Sequence, residues 1–181
     1  MIRIFFIFFL VFNSTLLFSQ VNASFPAISG VTLTGKTIAI PAKTNGKFTL
    51  VGLAYSQKME SNLRTWVDPV YSVFIDQSGL FTYDINLYFI TFISGFDKTA
   101  SGNIEKRLKK ELDKALLEHI MFYKGETKEY KTKLGMTDKE LPYFFIINKE
   151  GKIIYATSGE YSDKKMEEME SHLEEALTVT D

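Results

Sequence analysis

Lys47-Phe48-Thr49-Leu50-Val51-Gly52-Leu53-Ala54-Tyr55-Ser56-Gln57-Lys58-Met59-Glu60 is the stretch that decides the fold. An apolar, β-prone run from Phe48 to Tyr55 stops at polar residues and passes into a helical pattern, as a buried strand feeding a helix does. The run is apolar on both faces, which marks a parallel strand covered on each side. Ligands and chemistry in open α/β sheets collect at the carboxyl ends of such strands. Here the turn carries no cysteine, no histidine and no glycine-rich phosphate loop.

Downstream, Ser56 is a permissible N-cap, and Met59, Leu63, Trp66 and Val67 share one helical face. Asp68-Pro69 predicts a kink or a restart there, because proline cannot supply an interior helix bond. Val70, Tyr71 and Phe74 are then expected inward. Asp84 to Ser94 reads as a second covered strand, and residues 94–102 as a loop. From Asn103, Ile104, Leu108, Leu112, Ala115 and Leu116 form an amphipathic stripe, with Glu105–Lys109 and Arg107–Glu111 as surface pairs. His119 to Tyr123 reads as a short strand, and Thr127 to Leu134 as a short helix stopped by Gly135. Leu141–Asn148 and Ile153–Ala156 flank a tight Lys149-Glu150-Gly151-Lys152 turn, an antiparallel hairpin. Ser162 caps a last helix with Met166, Met169, Leu173 and Leu177 inward.

Upstream, Val31–Leu33 and Thr37–Ile40 flank Thr34-Gly35-Lys36 as a further hairpin. Before it, Met1-Ile2-Arg3 is a short positive start, Ile4 to Phe12 an apolar core, and Leu16-Leu17-Phe18-Ser19-Gln20 offers a cut after Ser19. The apolar run is shorter than the roughly 20 residues of a bilayer span, and Asn13-Ser14-Thr15 interrupts it. Residues 1–19 are thus expected to be a signal peptide and 20–181 one domain, exported to the periplasm or the outside, without membrane insertion after cleavage. An uncleaved signal-anchor is the alternative.

Composition narrows the chemistry. A chain of 181 residues, 45% hydrophobic, can bury a core without disulfides. Cys is 0, which removes thiolate nucleophiles, thiol redox cycling and thiolate metal sites together. Only His119 and His172 remain as imidazole donors, so no metal site and no cofactor are expected. A net charge of −1 gives no overall attraction for nucleic acid.

Phe25-Pro26, Leu33-Thr34-Gly35-Lys36-Thr37 and Gly46-Lys47 before the central strand resemble the opening of the redoxin form of the thioredoxin-like fold. Leu141-Pro142-Tyr143-Phe144-Phe145-Ile146-Ile147-Asn148-Lys149-Glu150-Gly151-Lys152-Ile153 resembles the segment that begins with that family's cis-proline; a leucine before proline permits either isomer. The resemblance spans residues 25–177 and implies an α/β thioredoxin-like fold: a central mixed sheet flanked by helices, with an N-terminal β-hairpin. In redox-active relatives a cysteine stands at the helix N-terminus, where the dipole stabilises its thiolate. This chain has Ser56-Gln57-Lys58-Met59-Glu60-Ser61 there, and a serine hydroxyl is far less acidic. Arg64-Thr65-Trp66-Val67-Asp68-Pro69-Val70, and His119–Gly125 with Tyr130–Met136, are similar to segments of a cysteine-poor branch resembling the mitochondrial ATP-synthase assembly chaperones.

The resemblance implies protein assembly or binding rather than catalysis. The candidate binding site is the former active-site crevice, where Tyr55, Ser56, Gln57 and Lys58, the loop with Phe96 and Asp97, and Leu141-Pro142 would converge on a protein or an extended peptide. Two alternatives stand beside it: a non-thiol enzyme using Ser56, Lys58 and Asp97, and a structural envelope protein with no site in the crevice.

Overall fold

The computed structural model describes residues 20–44, 46–54, 58–76, 83–93 and 98–178, with only the backbone of residues 58, 60, 61 and 98–101. Seven strands and four helices follow in the order β1 (Ile28–Thr32), β2 (Thr37–Ile40), β3 (Thr49–Ala54), α1 (Lys58–Phe74), β4 (Asn86–Phe92), α2 (Lys98–Glu111), a 3₁₀ turn (Lys114–Glu118), β5 (Ile120–Tyr123), α3 (Lys128–Lys133), β6 (Tyr143–Ile147), β7 (Ile153–Ser158) and α4 (Asp163–Thr178). They form one mixed sheet in the order β2-β1-β5-β4-β3-β6-β7. β3 runs parallel to β4, and β4 to β5; the other pairings are antiparallel.

Two crossovers, β3-α1-β4 and β4-α2-β5, step the same way across the sheet. Right-handedness therefore places α1 and α2 on one face, where Arg64 of α1 reaches Glu111 of α2 at 2.8 Å. α4 joins this layer: Tyr83, just before β4, donates to Glu174 at 2.7 Å. The opposite face is covered by α3 and the N-terminal segment, whose Ala27 carbonyl accepts from the Tyr130 hydroxyl at 2.7 Å. Residues 22–25 also pair with the β6–β7 turn, Asn22 N–H to Ile153 O at 2.8 Å and Phe25 N–H to Gly151 O at 2.9 Å.

The centre of the core sits on Gly52. In register it stands between Phe89 of β4 and Phe144 of β6. Both rings lean over it, and Trp66 from α1 packs on Phe144 with centroids 4.2 Å apart. A methyl group at Gly52 would lie 2.8 Å from Phe144 and 3.1 Å from Phe89. A bare backbone at the middle of the central strand is what lets three aromatic side chains share that space, despite the usual cost of glycine in a strand. All six residues of β3 are buried, as its two-sided apolar pattern requires.

Several expectations need correction. α1 runs unbroken from Lys58 to Phe74 with Pro69 inside it, so the expected restart does not occur. Val70 and Phe74 on its buried face hold the helix against the sheet, and packing overrides the single bond proline removes. α2 begins at Lys98 rather than Asn103 and ends at Glu111; the chain then turns, which leaves Ala115 exposed while Leu108 and Leu116 stay buried. Glu105–Lys109 pairs at 2.7 Å, but Glu111 goes to Arg64 rather than to the expected Arg107. The Ser162 cap is present, accepting from Lys165 N–H at 3.4 Å, with Met166, Met169 and Leu173 buried beneath α4.

Two predictions follow from this packing. Gly52→Ala should destabilise the fold by about 1–3 kcal/mol by overpacking, read as a lowered Tm in thermal unfolding by circular dichroism. The second concerns Glu170, whose carboxyl is pushed up by burial and then by neighbouring Glu174. A raised folded pKa favours the protonated form, so its stabilising contribution exists at acid pH and is lost as pH rises through that value. Glu170→Gln should therefore raise Tm at pH 7 by a small margin, about 2 °C or less, with the difference vanishing toward the ordinary carboxylate range.

Candidate functional site

The former active-site position lies where β3 ends and α1 begins. Tyr55, Ser56 and Gln57 lie outside the described residues, as do Phe96 and Asp97, and Lys58 is described only as the first backbone residue of α1. The described wall of the crevice is the Leu141-Pro142 loop facing the first half of α1. Leu141 is half-buried and Pro142 buried. The cis peptide bond of the described residues lies elsewhere, at Ile40–Pro41, so Leu141–Pro142 is trans.

A chain of contacts ties this loop to α1. The Trp66 indole N–H donates to the Gly159 carbonyl at 2.9 Å, and Gly159 N–H donates to the Pro142 carbonyl at 2.9 Å. Gly159 adopts φ +90°, a left-handed conformation open to glycine, which turns the chain out of β7 with both groups pointing at these partners. Tyr161 then packs edge-on to Trp66, centroids 5.4 Å apart, and its N–H donates to Thr65 Oγ1 at 3.3 Å. Asn62 Nδ2 donates to the Glu140 carbonyl at 3.4 Å. The Pro142 carbonyl is thus committed to the β6–β7 ladder.

This polar link was missed from sequence. Trp66 is readable as an inward residue at helical spacing, but its indole partner, 93 residues away, leaves no local pattern. The nearest usable signal is that the chain holds a single Trp, since a fully buried indole almost always needs an acceptor.

Among the described residues, most groups with a shifted pKa lie away from the Leu141-Pro142 wall; Tyr161, beside Trp66, is pushed up, first by burial. Burial pushes Tyr155 up to about 12, its hydroxyl held 3.1 Å from Glu168 on α4. Burial lowers Lys165, whose ammonium is spent on the Ser158 and Glu160 carbonyls at 2.9 and 2.7 Å. Arg64 holds Glu111 below the ordinary carboxylate range. His119 sits against Tyr71, centroids 6.2 Å apart, and Tyr71 is about 20 Å along α1 from Lys58 at 1.5 Å per residue. His172 stacks on Tyr155 at 4.9 Å. Among the described residues no group of three His, Asp or Glu is placed to hold a metal ion. Tyr155 and Lys165 tie α4 to β7 and the turn after it, Glu111 joins α2 to α1, and the two imidazoles pack on tyrosine rings.

A family model described as ATP10 protein matches residues 12–175. The chain belongs to the ATP10 protein family. No curated protein matches it significantly. Among solved structures it is similar to the exposed lipoprotein thioredoxin of Streptococcus pneumoniae, with TM-score 0.57 and 15% identity over 83% of this chain and 99% of that one. It is also similar to BsSco, a member of the Sco family of cytochrome c oxidase assembly proteins, with TM-score 0.53 and 15% identity over 85% and 95%. StoA from Bacillus subtilis gives TM-score 0.50 and 15% identity over 81% and 97%. At such identities the likeness shows the thioredoxin-like fold and nothing further. The cysteine-poor branch read from Arg64–Val70 and His119–Met136 is thus the family the chain belongs to, and this ATP10-family member has no cysteine.

Trp66→Phe keeps the stack on Phe144 but leaves the Gly159 carbonyl without its donor. The expected cost is about 1–3 kcal/mol, with faster hydrogen exchange at the Gly159 amide than in the rest of the β6–β7 ladder.

Proposed function

We propose that this ATP10-family chain is a redox-inactive assembly module that works by binding a protein client, and that it is exported. The observation that carries the reading is a family match over nearly the whole chain in a protein that lacks any cysteine. Disulfide exchange needs a thiolate as nucleophile and a second sulfur to receive it, and neither exists here. On the described side of the crevice, the middle of α1 and the proline loop are fastened to each other through Trp66 and Gly159. Rigid frames favour binding because little ordering is left to be done when a client docks.

The client site in this proposal is the crevice formed by Tyr55, Ser56, Gln57, Lys58, Phe96, Asp97, Leu141 and Pro142. Half-buried Leu141 supplies an apolar contact on the described wall, and Lys58 and Tyr55 a cation and an aromatic ring. The client is an extended stretch of a protein being assembled. Support for export is confined to the apolar leader; no helix among the described residues is long and apolar enough to cross a membrane.

Affinity purification of the tagged chain from its native envelope, set against Tyr55→Ala with Lys58→Glu, tests this reading. We expect subunits of a membrane-protein complex to accompany the wild type and to be lost with the double variant, while Tm stays within about 2 °C. Equal recovery with both proteins would remove the client site from the crevice.

A further inference from the structure

The net charge of −1 conceals two poles. Residues 28–44 and 98–133, which build β1, β2, α2, β5 and α3, hold twelve Lys/Arg against six Asp/Glu, a net +6. Residues 47–93 and 134–178, which build the rest of the sheet with α1 and α4, hold eight against fourteen, a net −6. The boundary falls between β5 and β4, adjacent in the strand order, so the charge is divided across the sheet rather than mixed over it.

The basic pole contains a groove of about 470 Å³ between β1 and α2. Val31 and Phe122, paired in register across β1 and β5, and Leu33 give it an apolar floor. Phe122 and Leu33 are buried, but Val31 is 49% exposed, the large apolar side chain that the described fold leaves uncovered. Lys109 and Lys124 stand on its walls, and Ser29 adds a hydroxyl. Lys109 is partly neutralised by Glu105 at 2.7 Å; Lys124 is exposed and forms no ion pair among the described residues.

We infer that this groove docks an acidic protein segment carrying an apolar residue, a second interaction surface separate from the crevice. The apolar residue covers Val31, and flanking carboxylates meet Lys124 and Lys109. Charge complementarity selects the partner: the pole of +6 draws acidic segments and repels basic ones, an effect that acts on encounter rate and specificity more than on affinity. The small apolar floor suits a weak, salt-sensitive contact rather than a permanent one. β5 and β4 lie between β1 and β3, so this surface holds whether or not the crevice binds a client.

The test uses the full chain and a fluorescein-labelled synthetic peptide of alternating Glu and Val, read by fluorescence anisotropy, with a Lys-Val peptide as control. We expect binding of the Glu-Val peptide alone, weakened by salt, reduced about tenfold by Lys109→Glu with Lys124→Glu, and reduced by Val31→Ser. Tyr55→Ala with Lys58→Glu should leave it unchanged, which separates this surface from the crevice. Lys124→Ala gives the same direction if the double reversal fails to fold. Equal binding of both peptides, or full affinity in the groove variants, would overturn the inference. So would capture of the protein by phosphatidylglycerol vesicles, lost on charge reversal, in the absence of peptide binding.

Discussion

Everything on the helical face of the sheet depends on the space above Gly52. Three aromatic rings, Trp66, Phe89 and Phe144, meet over the one residue of β3 that has no side chain. Trp66 spends its packing surface on this stack and its single N–H on Gly159. One side chain thereby joins the middle of α1, Phe144 of β6 and the turn whose N–H bonds the Pro142 carbonyl. This chain has no cysteine, so the frame holds no thiol in place.

Much of the fold is readable in the residues. The two-sided apolar runs at β3 and β4, the hairpin around Gly151 and the methionine stripe of α4 each state their element without help. Where reading fails, long-range packing is the cause. Pro69 is a local stop signal, yet Val70 and Phe74 beside it are buried against the sheet and keep α1 whole. Glu111 has a sequence neighbour four residues away in Arg107, but the layer geometry brings Arg64 to it. The crevice is the least legible part. Leu141 and Pro142 can be named from a motif, whereas the Trp66–Gly159–Pro142 link exists only after the chain closes on itself.

Composition also misleads when summed over the whole chain. A net charge near zero argues against electrostatic recognition, but poles of +6 and −6 lie on opposite halves of the sheet. Such a division lets a protein discriminate between partners, because like-charged partners are turned away before contact.

The central claim is that this thioredoxin-like chain assembles proteins without redox chemistry. The most direct measurement is a gene deletion in the native host, comparing membrane-protein complexes by native electrophoresis and, in the same cells, the thiol redox state of envelope proteins. The account predicts an incomplete complex that accumulates without the chain and is matured by its return, with thiol states unchanged. Complexes of normal size alongside misoxidised or over-reduced envelope thiols would contradict it.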